Sequence, residues 1–199
     1  MNLIDSKTGM TFLDSADNVM LAEFINRNQS GLIDIFGDFI NDEVMPFVGW
    51  SFTGGLGTQL CAVEGSMNRV VAIGWALPMT TDGREQGINL TYAVDRDYQG
   101  RGLATALTCT AFLMTSEAGC RADFVSAQVL NTNGPSLRVA RALGLVESES
   151  MNFSCETRIG RRSYVGLSLG TAEFEGRCQA RMDGRLSEQL QGAPRLQNS

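Results

Sequence analysis

The segment Gln99-Gly100-Arg101-Gly102-Leu103-Ala104 is the clearest indicator of the fold of this chain. An apolar run, Ile88 to Val94, precedes it, and a helical pattern, Leu103 to Met114, follows it. At the start of a helix the first N–H groups have no internal partner, and the helix dipole favours negative charge there. Glycine lets the backbone approach an anion without an intervening Cβ atom. The segment therefore predicts a phosphate site, although such glycines also form ordinary tight turns.

Two common phosphate-binding patterns do not fit this segment. The sequence contains no Gly-x-x-x-x-Gly-Lys-Ser/Thr, and its one lysine, Lys7, lies far upstream. A dinucleotide fingerprint requires a third glycine where this chain has Ala104 and Thr105.

A second motif, Asn133-Gly134-Pro135-Ser136-Leu137-Arg138-Val139, follows later and leads into Leu143-Gly144-Leu145. Gln99, Gly102 and Ala104 match the pattern Gln/Arg-x-x-Gly-x-Gly/Ala. The second motif matches Asn-x-x-Ser-x-Arg-Val ending in Leu-Gly-Phe, except for leucine at the last position. Together these motifs resemble the GCN5-related N-acetyltransferase (GNAT) family, and most closely its ribosomal-protein N-terminal acetyltransferases. The resemblance covers residues 69–169 and is weak before them.

The resemblance implies a mixed α/β (α+β) fold: a twisted, mostly antiparallel sheet of six to seven strands, flanked by about four helices. The sheet is expected to splay where Ile88 to Val94 and Phe124 to Leu130 diverge, and this gap would take the cofactor. Residues 1–170 are assigned to the acetyltransferase domain and residues 171–199 to a polar tail. The tail is expected to form a short helix near Leu186 to Leu190 or to be disordered.

Local patterns predict the remaining elements. Strands are predicted at Met10 to Leu13, Gln59 to Val63, Arg69 to Leu77, Met151 to Thr157 and Ser163 to Leu169, and helices at residues 16–27, 32–40 and 135–144. Gly31 is expected to separate the first two helices, and Thr80 to Gly87 to form a polar loop. Phe47, Trp50 and Phe52 lie in a predicted loop, as an apolar wall for a substrate or as core.

The composition limits the chemistry. The chain of 199 residues is 43% hydrophobic and 19% charged, which is typical of a globular protein, and no apolar run is long enough to cross a bilayer. Five cysteines without CxxC pairing indicate reduced thiols and a cytoplasmic location. With no histidine, triad chemistry and histidine-bound metal are excluded, and no metal site is expected. A net charge of −6 disfavours general nucleic-acid binding. The same charge would either attract a cationic amine or only keep the protein dissolved.

The resemblance also implies acetyl-CoA as the cofactor. The candidate cofactor-binding residues are Tyr92, Ala93, Val94, Gln99, Gly100, Arg101, Gly102, Leu103, Ala104, Thr105 and Asn133. Amides of the loop and helix start would bind the pyrophosphate, the strand edge would pair with the pantetheine amides, and an amide near Val94 would polarise the thioester carbonyl. Arg101 would either add positive charge at the phosphate site or be a solvated side chain. Asn133 would either contact the pantetheine or serve as a turn asparagine.

The implied reaction is direct attack on the thioester by a primary amine, from a small molecule or a peptide N-terminus. The tyrosine that many family members use to protonate the leaving thiolate is replaced here by Ala140. Ser136 is the nearest hydroxyl in the motif and is otherwise a first-turn helix residue. Glu85 or Glu64 is the base, or both are solvated and water relays the proton. Tyr164 reaches the acceptor channel or packs in the final hairpin.

Two functions therefore stay open. The first is an active N-acetyltransferase, and the second is an acyl-CoA-binding sensor or interaction module that has lost turnover. The missing tyrosine and the lack of a carboxylate in Ile88 to Val94 favour the second, whereas the intact loop fits both. A homodimer is a further expectation.

Overall fold

The computed structural model describes residues 2–14, 18–36, 57–65, 67–81, 84–157 and 160–188, and for some of these, including 29–36 and 84–86, only the backbone. In this part of the chain ten strands form one sheet, and four α-helices pack on it. None of the helices in the described residues is long and apolar enough to cross a membrane.

The sheet is mixed but mostly antiparallel, as the resemblance implied. Its strands are β1 (Asn2–Asp5), β2 (Met10–Leu13), β3 (Thr58–Glu64), β4 (Arg69–Thr81), β5 (Arg84–Val94), β6 (Phe124–Leu130), β7 (Val146–Glu147), β8 (Phe153–Thr157), β9 (Gly160–Gly170) and β10 (Leu186–Glu188). The order across the sheet is β10-β1-β2-β3-β4-β5-β6-β9-β7, and β8 pairs with β9. Within this sheet the β5–β6 pair is parallel and the other pairs are antiparallel.

The helices are α1 (Asn18–Phe36), α2 (Leu103–Glu117), α3 (Gly134–Leu143) and α4 (Thr171–Met182), and 3₁₀ turns occupy Arg96–Tyr98 and Glu149–Met151. Helix α2 lies in the main core, where Leu107 and Phe112 are fully buried. A Cβ atom at Gly74 would lie 3.1 Å from the Cβ of Leu107, so this glycine allows α2 to approach β4 closely. The ring of Phe174 on α4 meets Phe112 edge-on, with centroids 4.9 Å apart. Helices α2 and α4 thus cover one face of the sheet.

Helix α1 forms a second, smaller core. Its residues Leu21, Phe24 and Ile25 pack with Ile73 and Trp75 of β4. These three helix residues have the i, i+3, i+4 spacing of an amphipathic helix. Helix α1 therefore covers sheet residues that do not belong to the α2 core.

The prediction that Gly31 separates two helices was wrong, because α1 continues through it. A glycine inside a helix costs about 1 kcal/mol relative to alanine, which packing of the preceding turns offsets. The predicted continuation to Ile40 and the aromatic loop with Phe47, Trp50 and Phe52 lie outside the described residues.

The predicted polar loop at Thr80 to Gly87 was also wrong. Strand β4 extends to Thr81 and β5 begins at Arg84, with a register shift after Met79. Backbone hydrogen bonds hold this hairpin extension, and such bonds leave no hydrophobic pattern in the sequence.

The tail differs most from the prediction. Helix α4 buries Phe174, Cys178 and Met182, an i, i+4 stripe, in the main core. In place of a helix near Leu186 to Leu190, the described residues form β10, which pairs with β1. The sheet exceeds six to seven strands because β1, β7 and β10, of four, two and three residues, are too short for an alternating pattern to reveal.

A buried ion pair closes this corner of the sheet. Asp5 on β1 is fully buried, and its carboxylate accepts hydrogen bonds from Arg185 Nη2 at 2.8 Å and from the Thr8 hydroxyl. Burial alone would raise the pKa of Asp5, but the hydrogen bonds from Arg185 and Thr8 leave that pKa below its usual value. The two ends of the described chain are thereby joined.

Candidate active site

Strands β5 and β6 diverge after three paired residues and leave a gap. Residues 87–89 of β5 pair with residues 124–126 of β6, and the ladder ends at Asn89. Beyond that point β5 stays paired with β4 as far as Val94, and β6 stays paired with β9 as far as Leu130. The predicted splay is therefore confirmed, and the gap opens at the carboxyl ends of both strands.

The edge of β5 presents alternate backbone groups to this gap. The Asp95 N–H donates to Val71 O at 2.8 Å, so in an antiparallel ladder the residues at odd positions face β4. The N–H groups of Tyr92 and Val94 consequently point toward the gap, where β6 has moved away. The backbone of Ala93 points toward β4, so Ala93 borders the gap without offering it a backbone donor.

The loop after β5 leads into an uncapped helix start. Gly100 and Gly102 have φ of +76° and +80°, and nothing lies within 4 Å of a Cβ atom built at either position. Gly102 is the N-cap of α2 without a side-chain hydrogen bond, and Ala106 N–H donates to Gly102 O at 3.1 Å. The N–H groups of Leu103, Ala104 and Thr105 therefore have no acceptor within the helix. Open space beside free backbone donors suits a phosphate group.

Side chains of the loop bind the loop itself. Gln99 Nε2 donates to Val94 O at 3.3 Å. Arg101 Nη2 donates to Asp97 O at 3.0 Å, and the Arg101 guanidinium lies 4.6 Å from the centroid of the Tyr98 ring. A phosphate group placed here would therefore meet backbone N–H groups, with Arg101 at the margin.

A buried carboxylate supports this loop from below. Asp95 is 5% exposed and accepts hydrogen bonds from Arg69 Nη2 at 2.6 Å, Arg27 Nε at 3.4 Å and the Asp97 N–H at 3.4 Å. Burial would raise the pKa of Asp95, but the Arg69 hydrogen bond and the Asp97 N–H leave that pKa below its usual value. Asp95 thus links β4, α1 and the 3₁₀ turn at the point where the chain enters the loop.

Tyr98 anchors the same turn. Its hydroxyl donates to Glu64 Oε2 at 2.5 Å, and this hydrogen bond, together with burial, raises the pKa of Tyr98. Glu64, a candidate base in the sequence, is therefore engaged in supporting the loop.

The opposite wall of the gap is the first turn of α3. Asn133 Oδ1 accepts from the Ser136 N–H at 3.1 Å, so Asn133 caps the helix, as its turn interpretation suggested. The Tyr92 hydroxyl crosses from β5 and donates to Ser136 O at 3.2 Å. Burial raises the pKa of Tyr92. Tyr92 was predicted for its backbone, and its side-chain contact was missed because it joins residues 44 apart.

The other predicted catalytic residues stand apart from this contact. Tyr164 on β9 pairs in register with Leu130, is 9% exposed and stacks on Phe153 with ring centroids 4.7 Å apart. Glu85 lies on β5 opposite Thr80, but its side chain is outside the described residues. Roles for Tyr164 and Glu85 therefore stay predictions.

Uncharged polar side chains line the other face of the sheet beside the gap. Asn89 Nδ2 donates to Gln128 Oε1, and the Thr91 hydroxyl donates to Asn89 Oδ1 at 3.1 Å. Thr91 pairs in register with Trp75, which belongs to the α1 core, so this polar group shares the face that α1 covers. No sequence pattern indicated this group, because it brings together residues of two strands.

A family model for the acetyltransferase (GNAT) domain matches residues 34–146, more than half of the chain. The chain belongs to the GNAT acetyltransferase family. The match includes β5, the gap, the glycine loop and the start of α3. The protein is therefore an acetyl-CoA-dependent acetyltransferase, and the open, uncapped start of α2 fits the pyrophosphate of this cofactor.

Solved structures share the fold of this GNAT protein at low sequence identity. The ribosomal-protein-S5-alanine acetyltransferase of Vibrio fischeri is 16% identical, with a TM-score of 0.65 over 83% of this chain and 94% of that one. YncA of Salmonella typhimurium, solved with acetyl-CoA, is 16% identical, with a TM-score of 0.64 over 81% and 94%. A GCN5-related N-acetyltransferase from Kribbella flavida is 15% identical, with a TM-score of 0.64 over 83% and 99%. No curated protein sequence matches the chain significantly.

Proposed function

We propose that this protein transfers the acetyl group of acetyl-CoA to a primary amine, supplied by a small molecule or a peptide N-terminus, by direct attack on the thioester. One observation carries the proposal: the gap between β5 and β6 lies between an uncapped helix start and a sheet face with uncharged polar side chains. Such a gap lets the cofactor enter on one side of the sheet and meet an acceptor on the other.

The cofactor would lie along the edge of β5. The pyrophosphate would be bound by backbone N–H groups from Gly100 to Thr105, with Gln99 and Arg101 at the loop margin. The pantetheine amides would pair with the free edge at Tyr92 and Val94, as an added strand does. This arrangement would put the thioester near the first turn of α3.

The negative charge that develops in the reaction would be stabilised at the same edge of β5. A neutral amine attacks the thioester carbon, and the carbonyl oxygen becomes negative, where an N–H of the β5 edge that the pantetheine leaves unpaired would donate a hydrogen bond. Residues 87–94 and 124–130 contain no carboxylate, so a water molecule is the proposed first carrier of the amine proton, with Glu85 as the alternative. Ser136 and Tyr164 stay candidates for contacts with the reacting groups.

The acceptor would approach on the same side of the sheet as α1. Asn89, Thr91 and Gln128 offer uncharged hydrogen-bonding groups there, and the net charge of −6 favours a cationic amine. The similar Vibrio fischeri protein acts, by its name, on an alanine of ribosomal protein S5. That likeness supports the peptide N-terminus as one of the two acceptor classes.

A cytoplasmic location and a homodimer complete the proposal. The five cysteines are all free thiols, four of them buried, which fits a reducing compartment. Light scattering during size-exclusion chromatography gives the mass in solution, and a monomeric mass would remove the dimer from the proposal.

A thiol-release assay with acetyl-CoA tests the function. The panel contains small amines and peptides with free and blocked N-termini, and mass spectrometry identifies the acetylated nitrogen. We expect release that depends on a free amine. Calorimetric binding of acetyl-CoA without release for any acceptor would instead favour the sensor or interaction module, which the lack of a nearby carboxylate supports. No acetyl-CoA binding at all would reject both.

A further inference from the structure

The reaction requires a proton donor for the sulfur. When the amine displaces coenzyme A, the C–N bond forms and the C–S bond breaks. The sulfur leaves with the electron pair as a thiolate, which is stabilised when it receives a proton. This step rests on the proposed function, and the donor must reach the gap between β5 and α3.

Tyr92 has the required position. It lies on β5 between Leu90 and Val94, both of which pack in the α2 core, and its own side chain is only partly buried. Its hydroxyl reaches across the gap to Ser136 O at 3.2 Å. The phenol therefore lies between the two walls that would hold the pantetheine arm.

The position of the phenol on α3 is also informative. In an α-helix the carbonyl of Ser136 accepts the N–H of Ala140, so the Tyr92 hydroxyl meets the turn that contains Ala140. Ala140 is 2% exposed and contributes only a methyl group. The hydroxyl group at this helix turn therefore comes from Tyr92 of β5, because the side chain of Ala140 has no hydroxyl group.

We propose that Tyr92 is the catalytic acid of this enzyme, with its O–H donating to the coenzyme A sulfur as the C–S bond breaks. The proton moves from the phenol to the sulfur and yields the free thiol. The proton that the attacking nitrogen loses passes to water, and water returns a proton to the Tyr92 phenolate. The net reaction gives the amide and coenzyme A, with no proton gained or lost.

Two further observations fit this role. The Tyr92 O–H donates to Ser136 O at 3.2 Å, longer than the mode near about 2.8 Å for an O–H···O hydrogen bond, and the coenzyme A sulfur would replace this acceptor. Burial raises the pKa of Tyr92, so the phenol keeps its proton at neutral pH and is available as a donor.

The test compares Tyr92→Phe with the wild-type protein. We expect kcat to fall about 100-fold, the size typical of acid catalysis, while the Kd for acetyl-CoA stays within about threefold. Acetyl-seleno-CoA provides the readout that a structural role would not change, because a selenol leaves as an anion without protonation. With this donor the kcat deficit of Tyr92→Phe should shrink to a few-fold.

Several outcomes would overturn the inference. These are an unchanged kcat in Tyr92→Phe, with or without a lost kcat in Ser136→Ala, or an equal deficit with both donors. If Tyr92→Phe does not fold, 3-fluorotyrosine at position 92 keeps the phenol but changes its acidity, and an unchanged kcat would then reject the role. A wild-type protein without turnover would reject the proposed function instead.

Discussion

Two buried aspartates, Asp5 and Asp95, make the same kind of ion pair at two places and have different consequences. Each is at most 5% exposed, each is paired with arginine, and in each hydrogen bonding keeps the pKa below its usual value. Asp5 joins β1 to Arg185, a residue 180 positions away, and closes the edge of the sheet. Asp95 joins Arg69 and Arg27 directly before the glycine loop.

We expect the functional effect of each ion pair to depend on which backbone turn its aspartate holds. Asp95 accepts from the Asp97 N–H and so sets the turn that leads to Gly100 and Gly102. Asp5 accepts from the Lys7 N–H in a surface turn that is separate from the gap. Substitution at each position tests this distinction.

Loss of the Asp5 carboxylate is expected to have the largest effect on stability. In Asp5→Asn the Arg185 side chain, which is 12% exposed, keeps its charge without its partner, so the free energy of unfolding should fall by about 3 kcal/mol at pH 7. The KM for acetyl-CoA should not change. Denaturant titration and steady-state kinetics measure the two quantities, and a raised KM would remove the distinction between the two aspartates.

The same variant has a defined pH dependence. Because the folded-state pKa of Asp5 lies below the usual value of 3.8, its contribution to stability is present above pH 3.8 and disappears as the pH falls through the folded-state pKa. The difference in unfolding free energy between wild type and Asp5→Asn should therefore be constant near neutrality and shrink in acid. A difference that grows toward low pH would contradict the assignment.

Loss of the Asp95 carboxylate should weaken stability less and binding more. Arg69 and Arg27 are 27% and 30% exposed and recover hydration, so Asp95→Asn should lower the unfolding free energy by about 2 kcal/mol. The KM for acetyl-CoA should rise about tenfold, equivalent to about 1.4 kcal/mol, because the turn before the loop loses its anchor. An unchanged KM with reduced stability would make Asp95 equivalent to Asp5.

The smallest effect is expected at Arg101. Its guanidinium lies on Tyr98 and donates to Asp97 O, so Arg101→Gln should cost at most about 1 kcal/mol in acetyl-CoA binding, or about fivefold in Kd. Calorimetry with wild type and Arg101→Gln gives both values. A loss of two orders of magnitude would show that side-chain charge, rather than the backbone, binds the pyrophosphate.

The turns and helix caps of the candidate cofactor site were predictable because their signals are local. Gly102 and Gly144 have the positive φ that only glycine adopts readily, and both end up at helix caps where the sequence placed them. Asn133 and Pro135 start α3 by hydrogen bonding and by restricted φ, which also act over a few residues. Such signals locate a turn without knowledge of the fold.

The side-chain contacts beside the gap were not predictable from such local signals. The contact of Tyr92 with Ser136 and that of Asn89 with Gln128 join residues 44 and 39 apart, on separate elements that only the folded sheet brings together. The helix in the tail is a third case. The apolar stripe that begins at Phe174 has helical spacing, but the polar composition of the tail favoured a different prediction.

Binding of the cofactor pyrophosphate by backbone amides at the start of α2 underlies the whole interpretation, and a matched pair of variants tests it. Gly102 and Gly119 flank α2 and have φ of +80° and +91°, and a Cβ atom on either residue would meet nothing within 4 Å beyond its chain neighbours. Glutamate therefore adds one negative charge, on a left-handed backbone, at either end of the helix. Gly102→Gln separates added bulk from added charge at the anion site.

Calorimetric titration with acetyl-CoA is the deciding measurement. We predict that Gly119→Glu binds acetyl-CoA as the wild type does, whereas Gly102→Glu loses at least about 100-fold in affinity, equivalent to about 2.7 kcal/mol. Retained affinity in Gly102→Glu, or an equal loss in both variants, would contradict backbone binding of the pyrophosphate.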